Sequence, residues 1–454
     1  MNLVSNIITT LFARVGILIC AVISSIVLAR VLGPEGRGLF ALIILLPEIA
    51  TAFGLLGFDH ANVVYAGLEP ESRRALVWHS TVLAIVLGVV FALAMIGYIV
   101  LGAPGFPVLA RGPRNLFLLA LSLIPVTILI DYWFSILRGM NQIVLTNAVE
   151  IGSKVASLLI LIAFLLWLRL GVAGAVATNF VMTLGTLIVA VVLLRHVGVW
   201  GKPSFDWSLW KRTVRFALPS YAATVLTYMN YRVDQLCIAI FLPPEQLGYY
   251  VLAVSLAERL WILTGSVANA LLPHLANSKE REIAMPAVVT RHVVLWTGAG
   301  CIIVFVLADV LIRVLYSPAF ADGVAPLRWL LPGILVATIG KNLCAELLVR
   351  KMVGYLVWMA GVGAVVNLVG NLLLIPRTGI SGAALASTLS YCVLSLMQTV
   401  VYLKVTGVPW TTLVPRYSDI RIYYVVWRRI LSALRIQKMP AETVWGVLMV
   451  TMCL

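Results

Sequence analysis

Four ionisable side chains, Arg232, Asp234, Glu258 and Arg259, stand inside apolar runs long enough to cross a bilayer. A charge at that depth is costly, so it marks a ligand path, an ion path or a pairing inside the protein. Guanidinium groups present a fork suited to phosphate oxygens. Neighbouring helix residues point about 100° apart, so Arg232 turns away from Asp234, and Glu258 does not face Arg259. These four therefore need partners on other helices, in water or on a ligand. Arg14 and Lys341 are further cations in such runs, and Glu48 is a further acid. Two readings stay open. In one, Arg14, Arg232, Arg259 and Lys341 line a hydrated cavity and hold a phosphate-bearing head group. In the other, the same charges form interhelical ion pairs that fix packing. Glu150 and Lys154, four residues apart, are expected to pair on one helix face. Tyr228 and Tyr231 belong to an aromatic cluster on the same two spans, suited either to stacking on sugar rings or to a membrane interface.

These side chains are positioned by a repeat. Leu32-Gly-Pro-Glu-Gly-Arg-Gly38 recurs as Leu242-Pro-Pro-Glu-Gln-Leu-Gly248, and the same shift of 210 residues places Glu48 on Glu258. A second pair, Gly171-Val-Ala-Gly174 and Gly379-Ile-Ser-Gly382, lies 208 residues apart. Two halves with the same orientation follow, and in such proteins a substrate binds at the repeat interface. Glu48, Glu258 and Asp234 are the candidates for coupling or gating. Glu48 follows Pro47 with no cation beside it in sequence, which makes it the first candidate for a proton-linked switch.

With 62% hydrophobic and 11% charged residues and a mean hydropathy of +1.04, the chain is too apolar for a soluble protein, in which about 25% are charged. A span needs about 20 apolar residues. Twelve runs qualify: 7–32, 39–66, 76–101, 115–137, 143–168, 171–194, 217–242, 247–272, 287–312, 326–349, 353–375 and 380–403. The expected fold is an all-α polytopic membrane protein of about twelve helices, in two pseudo-symmetric six-helix lobes around a central cavity. The lobes are residues 1–195 and 217–404, joined by a basic linker, 196–216.

The net charge of +15 reflects basic loops rather than a nucleic-acid partner. Lys and Arg in the even-numbered loops and the tail outnumber those in the odd-numbered loops by more than two to one, which places both termini in the cytoplasm. In the tail, 405–454, Arg421, Arg428 and Arg435 recur every seven residues beside Tyr423, Trp427 and Leu434, the pattern of a basic amphipathic helix on an anionic leaflet. The six cysteines and five histidines show no metal-ligand or disulfide spacing. Gly333 to Gly340-Lys341-Asn342 imitates a phosphate-binding loop but has no Ser or Thr after the lysine, which argues against ATP hydrolysis. No cofactor is expected beyond a coupling ion, H⁺ or Na⁺.

LARVLGPEGRGLFAL, the Asp234-containing seventh span, GYYVLAVSLAERLWILTGSVANALLPHLA and YSPAFADGVAPLRWLLPGI resemble the polysaccharide flippases. These are O-antigen-type exporters of lipid-linked oligosaccharides within the multidrug/oligosaccharidyl-lipid/polysaccharide superfamily. The resemblance covers residues 5 to 405, roughly. It implies a V-shaped cavity, alternating access, and passage of a polyprenyl-pyrophosphate-linked oligosaccharide from the cytoplasmic to the periplasmic leaflet of an inner membrane. In the related lipid II flippases, cavity arginines lie on the first, second and eighth helices. Arg14 and Arg259 match by helix, while the second helix offers Glu48 instead. The two further C-terminal spans usual in the lipid II branch are not expected here, which favours the polysaccharide branch. The resemblance also implies a non-enzymatic monomer, with a polysaccharide polymerase and a chain-length regulator as partners. The rivals are a cation-coupled multidrug exporter of the same superfamily and a membrane polymerase or ligase acting on the same lipid-linked glycan. The ligase is disfavoured because all odd-numbered loops are short.

Overall fold

The computed structural model describes residues 3–103, 105–106, 109, 112–262, 264–265, 267, 284–416 and 419, with backbone alone for 3–15, 219 and 220. Among these residues the regular structure is entirely helical. Thirteen α-helices follow one another: α1 (Leu3–Gly54), α2 (Phe58–Leu68), α3 (Arg73–Val100), α4 (Arg114–Leu121), α5 (Ile124–Gly139), α6 (Ile143–Ile162) and α7 (Gly171–His196), then α8 (Trp207–Phe241), α9 (Pro244–Glu258), α10 (Met285–Leu311), α11 (Val324–Val349), α12 (Val353–Thr378) and α13 (Ile380–Thr406).

Helices and crossings differ in number because proline and glycine divide some crossings internally. The first repeat turn interrupts α1 at Gly33, with φ 66° and ψ −179°. Pro34 bars the preceding residue from the helical region, and glycine takes the positive φ without a Cβ clash. The first crossing ends there and the second runs from Pro34 through α2, broken again near Gly57. The fourth crossing is α4 plus α5, divided where Pro125 begins the second piece. Among the described residues nine segments are long and apolar enough to span, with the first two crossings merged as Gly16–Gly54. α8, with Lys211, Arg212 and Arg215 in its first turns, supplies the seventh crossing and α9 begins the eighth, in the expected order; much of the later part of the eighth lies outside the described residues.

One boundary moves. The hydropathy pattern starts the seventh crossing at residue 217, yet α8 begins at Trp207, capped by Asp206 Oδ1, which accepts from Ser208 N at 2.8 Å and Leu209 N at 3.1 Å. A charged helix can extend beyond the apolar layer, so hydropathy marks the membrane and not the helix end. The shortened linker is fixed to the first lobe. Asp206 N donates to His79 Nε2 at 3.1 Å, Trp78 Nε1 donates to Gly201 O, and Trp200 packs on Trp78 and Trp133.

Helices α1 to α7 form one lobe and α8 to α13 the other, the second centred on α13 packed against α11 and α12. The lobes meet along α1 with α9 and α2 with α8. Tyr132, Tyr250, Tyr316 and Phe320 fill the interior, while Ile302, Val306, Leu396 and Trp358 are exposed, as side chains solvated by lipid tails would be. The basic amphipathic tail expected beyond residue 419 lies outside the described residues.

Candidate functional site

The two repeat turns pack on each other. A Cβ on Gly38 would stand 1.7 Å from the Pro244 carbonyl oxygen, and one on Gly248 would stand 2.0 Å from the Pro34 oxygen. This reciprocal contact is the interface of the repeat, and only glycine permits it. Nearby, Arg30 Nε donates to Leu315 O at 3.0 Å and Arg30 Nη2 to Val314 O, at the π-turn Ile312–Tyr316 that ends the ninth crossing. The lobes are thus locked at the end away from the basic loops. At the opposite end, Tyr221 Oη donates to Phe53 O at 2.7 Å, and Arg212 forms a bidentate pair with Glu69 at 2.7 and 3.1 Å. The Arg212 hydrogen bonds hold the Glu69 carboxyl below its usual range.

Between the two locks, three cavities among the described residues share walls. The largest, about 640 Å³, is bounded by the second, fourth, fifth, sixth and seventh crossings and includes Glu48, Asp59, Asp131, Lys154, Asn179, Tyr221 and Tyr228. A second, about 260 Å³, is lined by Ser24, Ser25, Arg37, Lys154, Ser157, Ser255 and Arg259. The third, about 220 Å³, is lined by Arg37, Glu48, Arg232, Gln235, Ser255 and Glu258. Lys154 belongs to the first two and Glu48 to the first and third, so the cavities surround one centre.

Arg37 is the residue that sequence reasoning missed. Loop counting assigns it to an odd-numbered connector, but the kink at Gly33 puts it one turn inside the second crossing. It is 9% exposed, and its Nε has no hydrogen-bond partner among the described residues. Ser25 Oγ beside it is also buried without one. A buried guanidinium with an unused donor is unstable alone and calls for an anion. Arg259 extends over the same cavity, with Nη1 donating to Tyr316 Oη and Nη2 to Ala21 O, both at 3.3 Å, so it touches both lobes. The second helix therefore supplies an arginine after all, eleven residues before Glu48.

The other predicted residues separate. Arg232 lines the third cavity but is already paired, Nη1 to Glu258 Oε1 at 3.0 Å. Glu48 and Glu258, related by the repeat, line that cavity together, and Tyr228 Oη reaches Glu48 Oε2 at 3.5 Å. Lys341 does not line these cavities. Its ammonium sits 3.2 Å from the Trp261 ring centroid and 4.7 Å from that of Tyr231, a cation–π enclosure. Tyr231 packs on Trp261 and Tyr391 and is likewise apart from the cavities. The expected Glu150–Lys154 pair is not formed: Glu150 is exposed and Lys154 lines two cavities, near the Glu48 carboxylate. Its long chain serves the interior acid in preference to an exposed one, whose pairing would gain little. The Arg14 side chain lies outside the described residues.

Asp234 points into the second lobe, away from Arg232, as the helical wheel requires. Its carboxylate accepts from Tyr250 Oη, from Ser387 Oγ at 3.0 Å and from Gln235 N at 2.7 Å. One turn away, Asn230 Oδ1 accepts from Ser390 Oγ at 2.6 Å and Asn367 Nδ2 at 3.0 Å, and Asn371 Nδ2 donates to Asn367 Oδ1 at 2.6 Å. Among the described residues, the Asn230 Nδ2 and Asn371 Oδ1 atoms have no hydrogen-bond partner. This is a buried polar seam between α8, α12 and α13.

Two six-helix lobes meeting on a repeat, with ionisable groups in the cleft, define the class as a two-lobed polytopic helical membrane protein. The chain belongs to the polysaccharide biosynthesis protein family, whose model matches residues 3–279. Among solved structures it is similar to the lipid II flippase MurJ in an inward closed conformation, at 14% identity and a TM-score of 0.71, covering 98% of this chain and 95% of that one. It is also similar to an inward-facing multidrug resistance MATE transporter (14%, TM-score 0.68, covering 85% of this chain and 93% of that one). A third is a MOP superfamily transporter from Pyrococcus furiosus described as having a binding pocket of reversed polarity (15%, TM-score 0.62, covering 89% and 96%). No curated protein sequence matches.

Proposed function

We propose that the protein is a flippase that carries a polyprenyl-pyrophosphate-linked oligosaccharide across a bacterial-type inner membrane by alternating access, for cell-surface polysaccharide synthesis. The observation that carries this reading is Arg37, buried with an unpartnered Nε beside Arg259, Lys154 and three serines, Ser24, Ser25 and Ser255. That set suits a pyrophosphate, which offers several charged oxygens to forked and point donors at once. Arg232 is a reserve ligand, released when Glu258 lets it go. Tyr228 and Arg14 keep supporting roles in binding, whereas Lys341 and Tyr231, which do not line the three cavities, act through their contact with each other. Both termini and the basic loops face the cytoplasm, and no covalent bond is made or broken. Membership of the polysaccharide biosynthesis family supports the glycan as cargo.

Coupling falls to Glu48 and Glu258, through H⁺, or to the seam around Asp234, whose buried oxygens suit a small hard cation such as Na⁺. A second reading has its own support. Glu48, Asp59 and Asp131 in the largest cavity would suit an exported organic cation. Binding decides between them. The reconstituted protein should bind polyprenyl pyrophosphate well above polyprenyl monophosphate and polyprenol, and Arg37→Ala should remove that preference. Equal binding of all three lipids, together with tight binding of an organic cation, would favour the exporter.

A further inference from the structure

The largest cavity has a charge pattern that phosphate binding leaves unused. Arg37, Glu48 and Asp59 are each eleven residues apart along the second crossing; the first step is about 16 Å of helix, and the second passes the break near Gly57. The joined cavities therefore change sign along their length. Arg37 and Arg259 stand at the inner end, Lys154 beside Glu48 in the middle, and Asp59 with Asp131 towards the basic loops. At the inner end, Arg37 is nine-tenths buried, lines the two smaller cavities and has an Nε without a hydrogen-bond partner among the described residues, so the path ends on an anion site. At the outer end, Asp131 stands in the cavity wall without a hydrogen bond or ion pair among the described residues. Hydroxyls and an amide from three crossings, Thr127, Ser157, Thr183, Thr186 and Asn179, occupy the wall between. Such a wall sets donors and acceptors beside apolar surface, and it is large enough for a ligand of several rings.

We propose that this cavity is a vestibule for the glycan that selects by charge, admitting neutral and amino-bearing sugars and rejecting acidic ones. The inference rests on the pyrophosphate reading for the direction in which the substrate lies, head group inward and sugars trailing past Asp131. An ammonium on a sugar pairs with Asp131 or Asp59, a neutral sugar hydrogen-bonds the hydroxyl wall, and a uronic carboxylate meets two like charges.

Soluble oligosaccharides test the vestibule without its anion site. Glucosamine, N-acetylglucosamine and galacturonic acid oligomers of equal length would be titrated against the full-length protein in nanodiscs of uncharged lipid. Glucosamine oligomers should bind at least tenfold tighter than galacturonate oligomers, with N-acetylglucosamine oligomers between. The difference should shrink to threefold or less in Asp131→Asn with Asp59→Asn. Galacturonate binding as tightly as glucosamine in the wild type, or an undiminished difference in the double variant, would overturn the proposal. A parallel titration with sugar-free polyprenyl pyrophosphate tests the other reading. If that lipid fails to bind while the sugar preference holds, the pyrophosphate site is wrong and the vestibule stands.

Discussion

Replacing Gly38 by alanine tests the lobe interface at its tightest point. The new methyl would stand 1.7 Å from the Pro244 carbonyl oxygen, where ordinary contact begins near 3.4 Å. The obstacle is backbone on the facing lobe, so no rotamer relieves it; the turns must part by more than about 1 Å. Overpacking of this kind costs roughly 1–3 kcal/mol. Because the contact exists only while this end is closed, that cost falls on the closed state and shifts the population towards opening by about 5- to 150-fold. Gly248→Ala meets the Pro34 oxygen at 2.0 Å across the same pseudo-symmetric contact. The two substitutions should therefore be strongly non-additive, the second adding little once the turns have separated. Spin labels at the exposed positions 31 and 314 would report the separation by pulsed electron resonance. A longer distance in Gly38→Ala, nearly unchanged in the double variant, is expected. Wild-type distances in a folded Gly38→Ala protein would refute the argument that the repeat turns form the closing surface.

Further outcomes follow from the same geometry. Arg30→Ala removes two donors to the Val314 and Leu315 carbonyls and should open the same end more modestly, by about 1 kcal/mol or a fewfold in population; unchanged distances would make Arg30 a bystander. Glu48→Gln should shift the pH dependence of transport in vesicles, while Arg259→Ala should weaken substrate binding at every pH; an unaltered rate and pH profile in Glu48→Gln would leave Glu48 a packing residue. Reporter fusions after Arg215 and Arg350 should report the cytoplasm and fusions after Arg114 and Arg328 the periplasm, and the reverse pattern would overturn the orientation.

The fold was legible because its punctuation is local. Gly33-Pro34 and Leu242-Pro-Pro244 stop helices by rules that act on neighbouring residues, and their repetition at 210 residues announced two like halves. Their direct contact was not readable, since it depends on how the lobes meet. The site was legible in part. Helical angles correctly sent Asp234 away from Arg232 and drew Glu258 to a distant partner. Arg37 escaped because hydropathy locates the membrane only to within a turn or two, and a single turn separates a loop arginine from a cavity arginine. Lys154 could reach either Glu150 or the cavity. What decides is the acid at Glu48 and the open space beside it, both supplied by another helix. Lys341 was placed among phosphate ligands on charge alone, and the rings that take it, Trp261 and Tyr231, come from two other crossings.

The central claim, a pyrophosphate-linked glycan carried past Arg37 and Arg259, is tested most directly by translocation in proteoliposomes. A fluorescent polyprenyl-pyrophosphate oligosaccharide would be placed in the inner leaflet and its arrival outside followed with a membrane-impermeant quencher. Wild-type protein should expose the lipid over time. Arg37→Ala and Arg259→Ala should each slow exposure at least tenfold, about 1.4 kcal/mol, at unchanged protein content, as loss of one charged donor to a buried anion requires. Exposure at the wild-type rate in both variants, or no exposure by the wild type above protein-free vesicles, would contradict the account.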